Sequence, residues 1–332
     1  MSAIGLLVRC GKRRRRRCTA AGGRRKERRV LHGADRARLT HYGGVDPVRD
    51  DGGALDVLAC LASDGEVVVL SGAGLSTESG IPDYRGPSGA ARRHTPMTFQ
   101  AFTRDEQARR RYWARSYLGW RQIAAARPNA GHHAVAELER RGLLAGIVTQ
   151  NVDGLHQAAG ARSVLELHGS LDAVVCLDCR RSSPREELDA RLRDANPDWR
   201  PVSGPVNPDG DVDLADSELD GFVAVPCTGC GGTLKPDVVF FGETVPPDRV
   251  QESYALVERA GLLLVLGSSL TVMSGFRFVL RAVKLGVPVA IVNAGPTRGD
   301  AYARVRIDAP LGQVLPVLAG SLGAALDVAQ PA

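Results

Sequence analysis

Residues 66–86 read EVVVLSGAGLSTESGIPDYRG. Val67 to Leu70 form an apolar run short enough for a buried strand, and Gly72-Ala73-Gly74 follows at once, ahead of a plausible helix start. A strand that delivers a glycine turn is how a dinucleotide-binding unit begins, because bare backbone N–H groups at a helix start can approach an anion closely. The turn departs from the common fingerprint: Thr77 occupies the place of the third glycine. No acidic residue follows a second strand about 20 residues on, where a ribose contact would sit. By itself a G-x-G turn is also compatible with a tight strand-to-helix connection.

Working outward, the same grammar recurs. LLAGIVT (143–149) delivers QNVDGLH, VLEL (164–167) delivers His168-Gly169, LLLVLG (262–267) delivers Ser268-Ser269, and VPVAIVN (287–293) ends on Asn293. Continuous apolar strands alternating with helical stretches predict an α/β fold, with a Rossmann-like parallel sheet and helices on both faces. Ligands of such sheets bind beyond the carboxyl ends of the strands. Gly72, Gln150, His168, Gly267 and Asn293 all lie at such ends, so one crevice should collect them. Residues 51–90, 140–172 and 234–320 are assigned to this domain, residues 91–139 to a helical insert, residues 173–233 to a metal-binding module and residues 321–332 to a C-terminal tail.

Charge is unevenly spread over the 332 residues. Residues 1–38 hold 14 Arg and Lys against two acids, a net +12; the whole chain is +6, so the remainder is −6. The first 50 residues therefore read as a disordered basic extension and linker. A basic arm for nucleic acid, a mitochondrial-type presequence and a plain solvated extension all remain open for it; the acidic body argues against nucleic acid. No apolar run approaches the roughly 18 residues of a membrane span. Only four of the 43 basic residues are Lys, as expected of a GC-rich, bacterial genome, and a cytoplasmic setting follows, with the mitochondrial matrix as alternative.

Cys176/Cys179 and Cys227/Cys230 are two C-x-x-C hooks separated by 47 residues. Four thiolates make a closed tetrahedral site for one structural zinc. His168, directly after a short strand, is a candidate general base, since imidazole titrates near neutral pH. Gln150, Asn151 and Asp153 put three polar groups at one strand end; a turn would also explain Asn and Asp there. His156 reads as a packing or supporting histidine.

The order of GAGLS (72–76), GIPDYR (80–85), TQNVDGLH (149–156), His168-Gly169, the paired hooks, LKPDVVFFGE (234–243), GSSLTV (267–272) and VNAGPT (292–297) resembles the sirtuins, the NAD-dependent protein lysine deacylases. The resemblance covers roughly residues 54–318. The spacers RYWARSYLGW, NPDW, PDGDVDL and NAGPTRGD resemble the class II, mitochondrial-type branch. The resemblance implies that NAD is consumed as a co-substrate. The acyl-lysine carbonyl oxygen displaces nicotinamide, the imidazole at His168 takes a proton from the ribose hydroxyls, and water finally releases lysine and O-acyl-ADP-ribose. It implies that Asn151 acts with His168, and that Gly72, Ala73, Gly74 and Ser76 hold the pyrophosphate. Asp83, Tyr84 and Arg85 would close over NAD, Gln150 and Asn151 would position the nicotinamide ribose, and Asp153 would bind the carboxamide. Gly267, Ser268, Ser269, Asn293, Ala294, Gly295 and the backbone at Leu311 would line the adenosine side. Val239, Phe240 and Phe241 would pair with the acyl-lysine protein as an added strand. Tyr84 and Ser268 depart from the commoner Phe and Thr.

Tyr112 and Arg115 lie three apart on a predicted helix and share a face. A guanidinium there could bind the carboxylate of an acidic acyl group in two-point fashion, as a Tyr-x-x-Arg pair does in a different sirtuin branch. Protein mono-ADP-ribosylation and lipoamide hydrolysis are the alternative reactions on this fold. A dehydrogenase or a zinc-ribbon nucleic-acid binder would be the alternatives outside it.

Overall fold

The computed structural model describes residues 48–49, 53–85, 96–201, 204 and 206–329. The basic extension expected for the first residues, apart from Val48 and Arg49, lies outside the described residues.

Seven strands form one parallel sheet: β1 (Val48–Arg49), β2 (Val67–Ser71), β3 (Leu144–Thr149), β4 (Val164–Glu166), β8 (Leu262–Leu266), β9 (Val289–Val292) and β10 (Val305–Ile307). Their spatial order is β1-β10-β9-β8-β2-β3-β4, and every pairing is parallel. All residues of β2, β8 and β9 are buried, which explains why they read as unbroken apolar runs. Alternate side chains still go to opposite faces. Val67, Val69, Leu262, Leu264 and Leu266 join a core with α1 (Ala54–Ala62), α4 (Ala130–Arg140) and α9 (Leu311–Ala329). Val68, Leu70, Leu263 and Val265 join the core on the other face, with α7 (Pro247–Arg259) and α8 (Met273–Leu285).

A second lobe joins α2 (Phe99–Arg104) and α3 (Glu106–Ala125) to a three-stranded antiparallel sheet in the order β6-β5-β7 and to α6 (Arg185–Ala195). The strands are β5 (Gly169–Cys176), β6 (Ser182–Pro184) and β7 (Leu234–Val238). Phe102, Tyr112 and Trp113 share one core with Leu171, Val174 and Leu188, so the helical insert and the cysteine module form a single body rather than two separate ones. Arg185 couples them. It is 1% exposed, stacks on Trp113 and Trp120 at 5.3 and 5.0 Å, and donates to the Ser116 carbonyl at 3.1 Å. Burial lowers it to about 10, so it stays charged at neutral pH, and the two indoles supply part of the solvation it loses.

Several boundaries differ from the sequence reading. Val48 and Arg49, placed in the linker, pair with Val305 and Arg306 at the sheet edge. Helix α4, placed in the insert, buries Ala134, Val135 and Leu138 in the main core. The cysteine module begins at Gly169 and ends at Val238, because β5 and β7 carry it. The stretch 321–332, read as a tail, continues α9 to Ala329, and Leu322 is buried under the sheet. Strand β7 stops at Val238, short of the Val239–Phe241 stretch expected to pair with an added strand, and the Glu243 carboxylate accepts the Phe240 N–H there.

Two buried histidines brace the strand ends. His156 Nε2 lies 2.9 Å from Ser71 Oγ, which donates to Thr149 Oγ1 at 2.9 Å. His132 Nδ1 accepts the Asn129 N–H at the start of α4, and the two imidazoles meet edge to face at 5.3 Å. Burial pushes His132 down to about 3 and His156 down to about 4. Both are neutral when folded, whereas the unfolded chain takes up their protons near pH 6.5. Their stabilisation is present above that value and is lost as pH falls from it toward 4. Unfolding free energy should therefore drop by about 2 kcal/mol per histidine between pH 7.5 and 5. Urea melts of wild type and His132→Phe test this: the variant's pH slope should be shallower by one proton, and an unchanged slope would refute the assignment.

Candidate active site

The site is built on a backbone-to-backbone contact. Gly72 N–H donates to Leu266 O at 2.9 Å and Gly74 N–H to Gly267 O at 2.8 Å, joining the ends of β2 and β8. A Cβ on Gly74 would sit 2.9 Å from Gly267 O, and one on Gly267 2.4 Å from Leu75 N. Gly267 also adopts φ +61°, a left-handed conformation that glycine tolerates best. The Gly74 N–H is thus committed to the protein, and the turn offers a close-approach surface rather than that particular donor.

Above this turn opens a crevice of about 1280 Å³. It is lined by Gly72, Ala73, Gly74, Ser76, Asp83, Tyr84, Arg85, Gln150, Asn151, Asp153 and His168, and on its other flank by Gly267, Ser268, Ser269, Asn293, Ala294, Gly295 and Leu311. Every nucleotide-side residue picked from the sequence is brought to one cavity, as strand-end placement requires.

Within it the polar groups hold each other. Asn151 Nδ2 donates to Gly72 O and Ser76 Oγ, at 3.2 and 3.0 Å. Ser76 Oγ donates to Asp153 Oδ2 at 2.6 Å, and the Leu155 N–H reaches Asp153 Oδ1 at 3.0 Å. Burial nevertheless raises Asp153, more than these bonds lower it. Gln150 Nε2 donates to Ser268 Oγ at 2.9 Å, and Asn293 Nδ2 to the carbonyls of Ala294 and Gly295.

His168 stands between the lobes. Its Nδ1 lies 2.9 Å from the Gln150 carbonyl and its Nε2 2.9 Å from Ser274 Oγ. Burial pushes the imidazole below its ordinary value; the Gln150 carbonyl opposes this, and Arg249 and Arg277 add to it. At neutral pH it is an uncharged base. Sequence reading missed Ser274, whose only signal is its place at the start of α8, after the strand end at Gly267.

On the far wall, Val239, Phe240 and Phe241 line the crevice beyond the end of β7, and Phe241 forms a parallel bridge with Thr98. Val239 N–H bonds to His168 O at 2.8 Å, and Phe241 O accepts the Phe99 N–H at 2.9 Å, so part of this edge is already paired within the chain. Lys235, 3% exposed, lies 3.0 Å from Glu243 and 4.7 Å from the Phe240 ring centroid, and also donates to Val238 O. This pair braces that stretch.

Tyr112 and Arg115 do not line the crevice. Tyr112 is buried among Phe102, Trp113 and Phe240. Arg115 Nη2 lies 3.1 Å from both Asp211 and Asp213, and its Nε donates to Val212 O at 2.7 Å. Its guanidinium staples residues 211–213 to α3, which corrects the reading of it as an acyl-carboxylate receptor.

Cys176, Cys179, Cys227 and Cys230 bring their sulfurs within 4.8 Å of one another, with pairs at 3.5 and 3.8 Å. A tetrahedron of Zn–S bonds near 2.3 Å has edges of about 3.8 Å, so the four sulfurs fit zinc. The N–H groups of Gly229 and Cys230 favour the thiolate at Cys227, while the crowded sulfurs of Cys176 and Cys179 push the thiol of Cys230 up, as expected of four gathered thiols. None of the four lines the crevice.

A Sir2 family model matches residues 72–274. NAD-dependent protein deacetylase 1 of Streptomyces coelicolor is 62% identical over 259 residues, 78% of this chain and 87% of the relative. NAD-dependent protein deacetylase of Bordetella bronchiseptica is 51% identical over 255 residues, 77% of this chain and 93% of the relative. A solved structure described as "Sir2-p53 peptide-NAD+" superposes with a TM-score of 0.66 at 30% identity, over 81% of this chain and 99% of that one.

Two outcomes follow from the geometry. The purified protein should hold one zinc per chain, and Cys176→Ser should remove it and melt the second lobe, because structural zinc is folding energy. Metal analysis near zero in folded, active protein would exclude the site. Arg115→Met should destabilise by about 1.5–3 kcal/mol, the worth of hydrogen bonds to charged groups. It should lower kcat/KM on acetyl and succinyl peptides by one common factor; a loss confined to the succinyl peptide would return Arg115 to acyl recognition.

Proposed function

The chain belongs to the Sir2 family, and from that premise we propose how its crevice carries out the reaction. The protein is an NAD-dependent protein deacetylase, a class that its relatives share at 51–62% identity over most of their length. NAD is its co-substrate, and the four cysteines fit one structural zinc.

The observation that carries the mechanism is a neutral imidazole fixed at the lip of a glycine-floored crevice. The floor formed by Gly72, Gly74 and Gly267 lets a dinucleotide approach the backbone. Ser268, Ser269, Asn293 and Leu311 would hold its adenosine half, and Asn151 and Asp153, tied together through Ser76, the nicotinamide half. When bound, the dinucleotide supplies a glycosidic bond whose cleavage drives acyl transfer. His168 serves as general base toward a ribose hydroxyl. Its Nδ1–H is anchored on Gln150 O, which leaves Nε2 as the proton acceptor. Asp83, Tyr84 and Arg85 form the wall that would close over the nicotinamide side, and Tyr84 meets Phe241 edge to face at 5.8 Å.

The partner is an acyl-lysine segment of another protein, lying against Val239, Phe240 and Phe241. We infer a cytoplasmic setting, supported by a thiol cluster arranged for metal rather than for disulfides. Among the described residues no helix is long and apolar enough to cross a membrane.

His168→Ala should lower deacetylation by about 10²–10⁴-fold while leaving NAD binding within a small factor. Mass spectrometry of an acetyl-lysine peptide checks it: wild type removes the acetyl mass, the variant does not. Near-wild-type turnover by the variant would overturn the role of His168, and a gain of ADP-ribose mass by the wild-type reaction would point to ADP-ribosyl transfer.

A further inference from the structure

We propose that Ser274 is a proton relay between a ribose hydroxyl of the bound dinucleotide and His168. The proposal rests on the reading of His168 as the base and adds a residue to it.

A carbonyl oxygen only accepts, so the 2.9 Å contact with Gln150 O places the imidazole proton on Nδ1. In the neutral ring the lone pair then sits on Nε2. Its partner at 2.9 Å is the Ser274 hydroxyl, which must donate. The basic nitrogen is therefore already capped by a hydroxyl, and that hydroxyl's residue lines the crevice. The backbone that carries the hydroxyl is anchored. Ser274 is the second residue of α8, whose Phe276, Phe278 and Val279 are buried in the core. The adjoining Gly275 packs so tightly that a Cβ would stand 2.5 Å from Gln150 Oε1, which fixes the start of α8 against the residue that orients His168.

A substrate hydroxyl can therefore reach the base without moving it. The ribose O–H bond breaks and its proton bonds to Ser274 Oγ. In the same step the Ser274 O–H bond breaks and that proton bonds to His168 Nε2. The result is a ribose alkoxide, a neutral serine and an imidazolium whose new Nε2–H points at Ser274 Oγ. The charged groups facing the imidazole are Arg249 of α7, paired with Asp237 at 3.2 Å, and Arg277 of α8. Both arginines disfavour the imidazolium, so the ring is neutral, with its Nε2 lone pair available, before the transfer.

The test combines ¹⁵N NMR of the histidine rings in the free enzyme with deacetylation kinetics, for wild type, Ser274→Ala, Ser274→Thr and His168→Ala. In Ser274→Ala the His168 Nε2 resonance should move toward that of a lone pair without a donor, while Nδ1 stays put. Its kcat should fall by about 10–100-fold, within the range of a positioned proton-transfer group, with KM for NAD changed less than about twofold. Ser274→Thr should restore both readouts. If Ser274→Ala lowers Tm, Ser274→Cys, isosteric with a weaker donor, must still give a kcat between alanine and wild type. An unshifted Nε2 resonance, or a kcat for Ser274→Ala at or above wild type, would overturn the relay and make the hydroxyl a placeholder that the ribose displaces. Active His168→Ala would instead overturn the base assignment itself, so the two failures are distinguishable.

Discussion

The glycine contact between the ends of β2 and β8 governs the rest of the molecule. Gly72 and Gly74 meet Gly267 with no room for a side chain on any of them. That contact lowers the floor of the crevice to bare backbone, at the point where the sheet's carboxyl ends diverge. It also explains why the turn dispenses with the third glycine of the common fingerprint. The segment after Gly74 is not a long helix packed on the strand but two short 3-10 turns, Ala73–Leu75 and Thr77–Ser79. Thr77 has space there, and its hydroxyl returns to Gly74 O at 3.0 Å.

The second constraint lies where the chain leaves one sheet for the other. β4 ends at Glu166 in the parallel sheet and β5 begins at Gly169 in the antiparallel one. His168 sits in that two-residue gap, so it belongs to both lobes and faces the cleft between them. Gly169 makes the crossing feasible: it adopts φ +84°, and a Cβ would lie 1.8 Å from Asp237 O. His168 is placed by topology before any side chain orients it, and Gln150 and Ser274 then hold its ring from the two flanks.

Much of this was legible because buried parallel strands leave an unmistakable trace, four or five apolar residues and then a polar turn. That trace located the crevice and brought Gly72, Gln150, His168, Gly267 and Asn293 to it. What was not legible depended on partners distant in sequence. Helical spacing brings Tyr112 and Arg115 to one face, but it cannot say what that face meets; Asp211 and Asp213, almost a hundred residues later, claim the guanidinium. Helix α4 looks like a continuation of the insert until its apolar face is seen under β3. Ser274 carries no motif, and its meaning arises only where α8 abuts the β4–β5 crossing.

Burial treats the two central ionisable groups in opposite directions, with one result. It raises Asp153 and lowers His168, so both are pushed toward their uncharged forms. Each is then restrained by hydrogen bonds: Ser76 and the Leu155 N–H on the carboxylate, the Gln150 carbonyl on the imidazole. Unpaired full charges are costly where side chains are as buried as these. The groups nearest His168 and Asn151 are accordingly oriented neutral dipoles, while the charged side chains of both signs, Arg85 and Arg277 with Asp83 and Glu243 among them, line the crevice around them. The same logic explains why the His168 ring is held neutral between two hydrogen bonds, one accepted by the backbone and one donated by a hydroxyl.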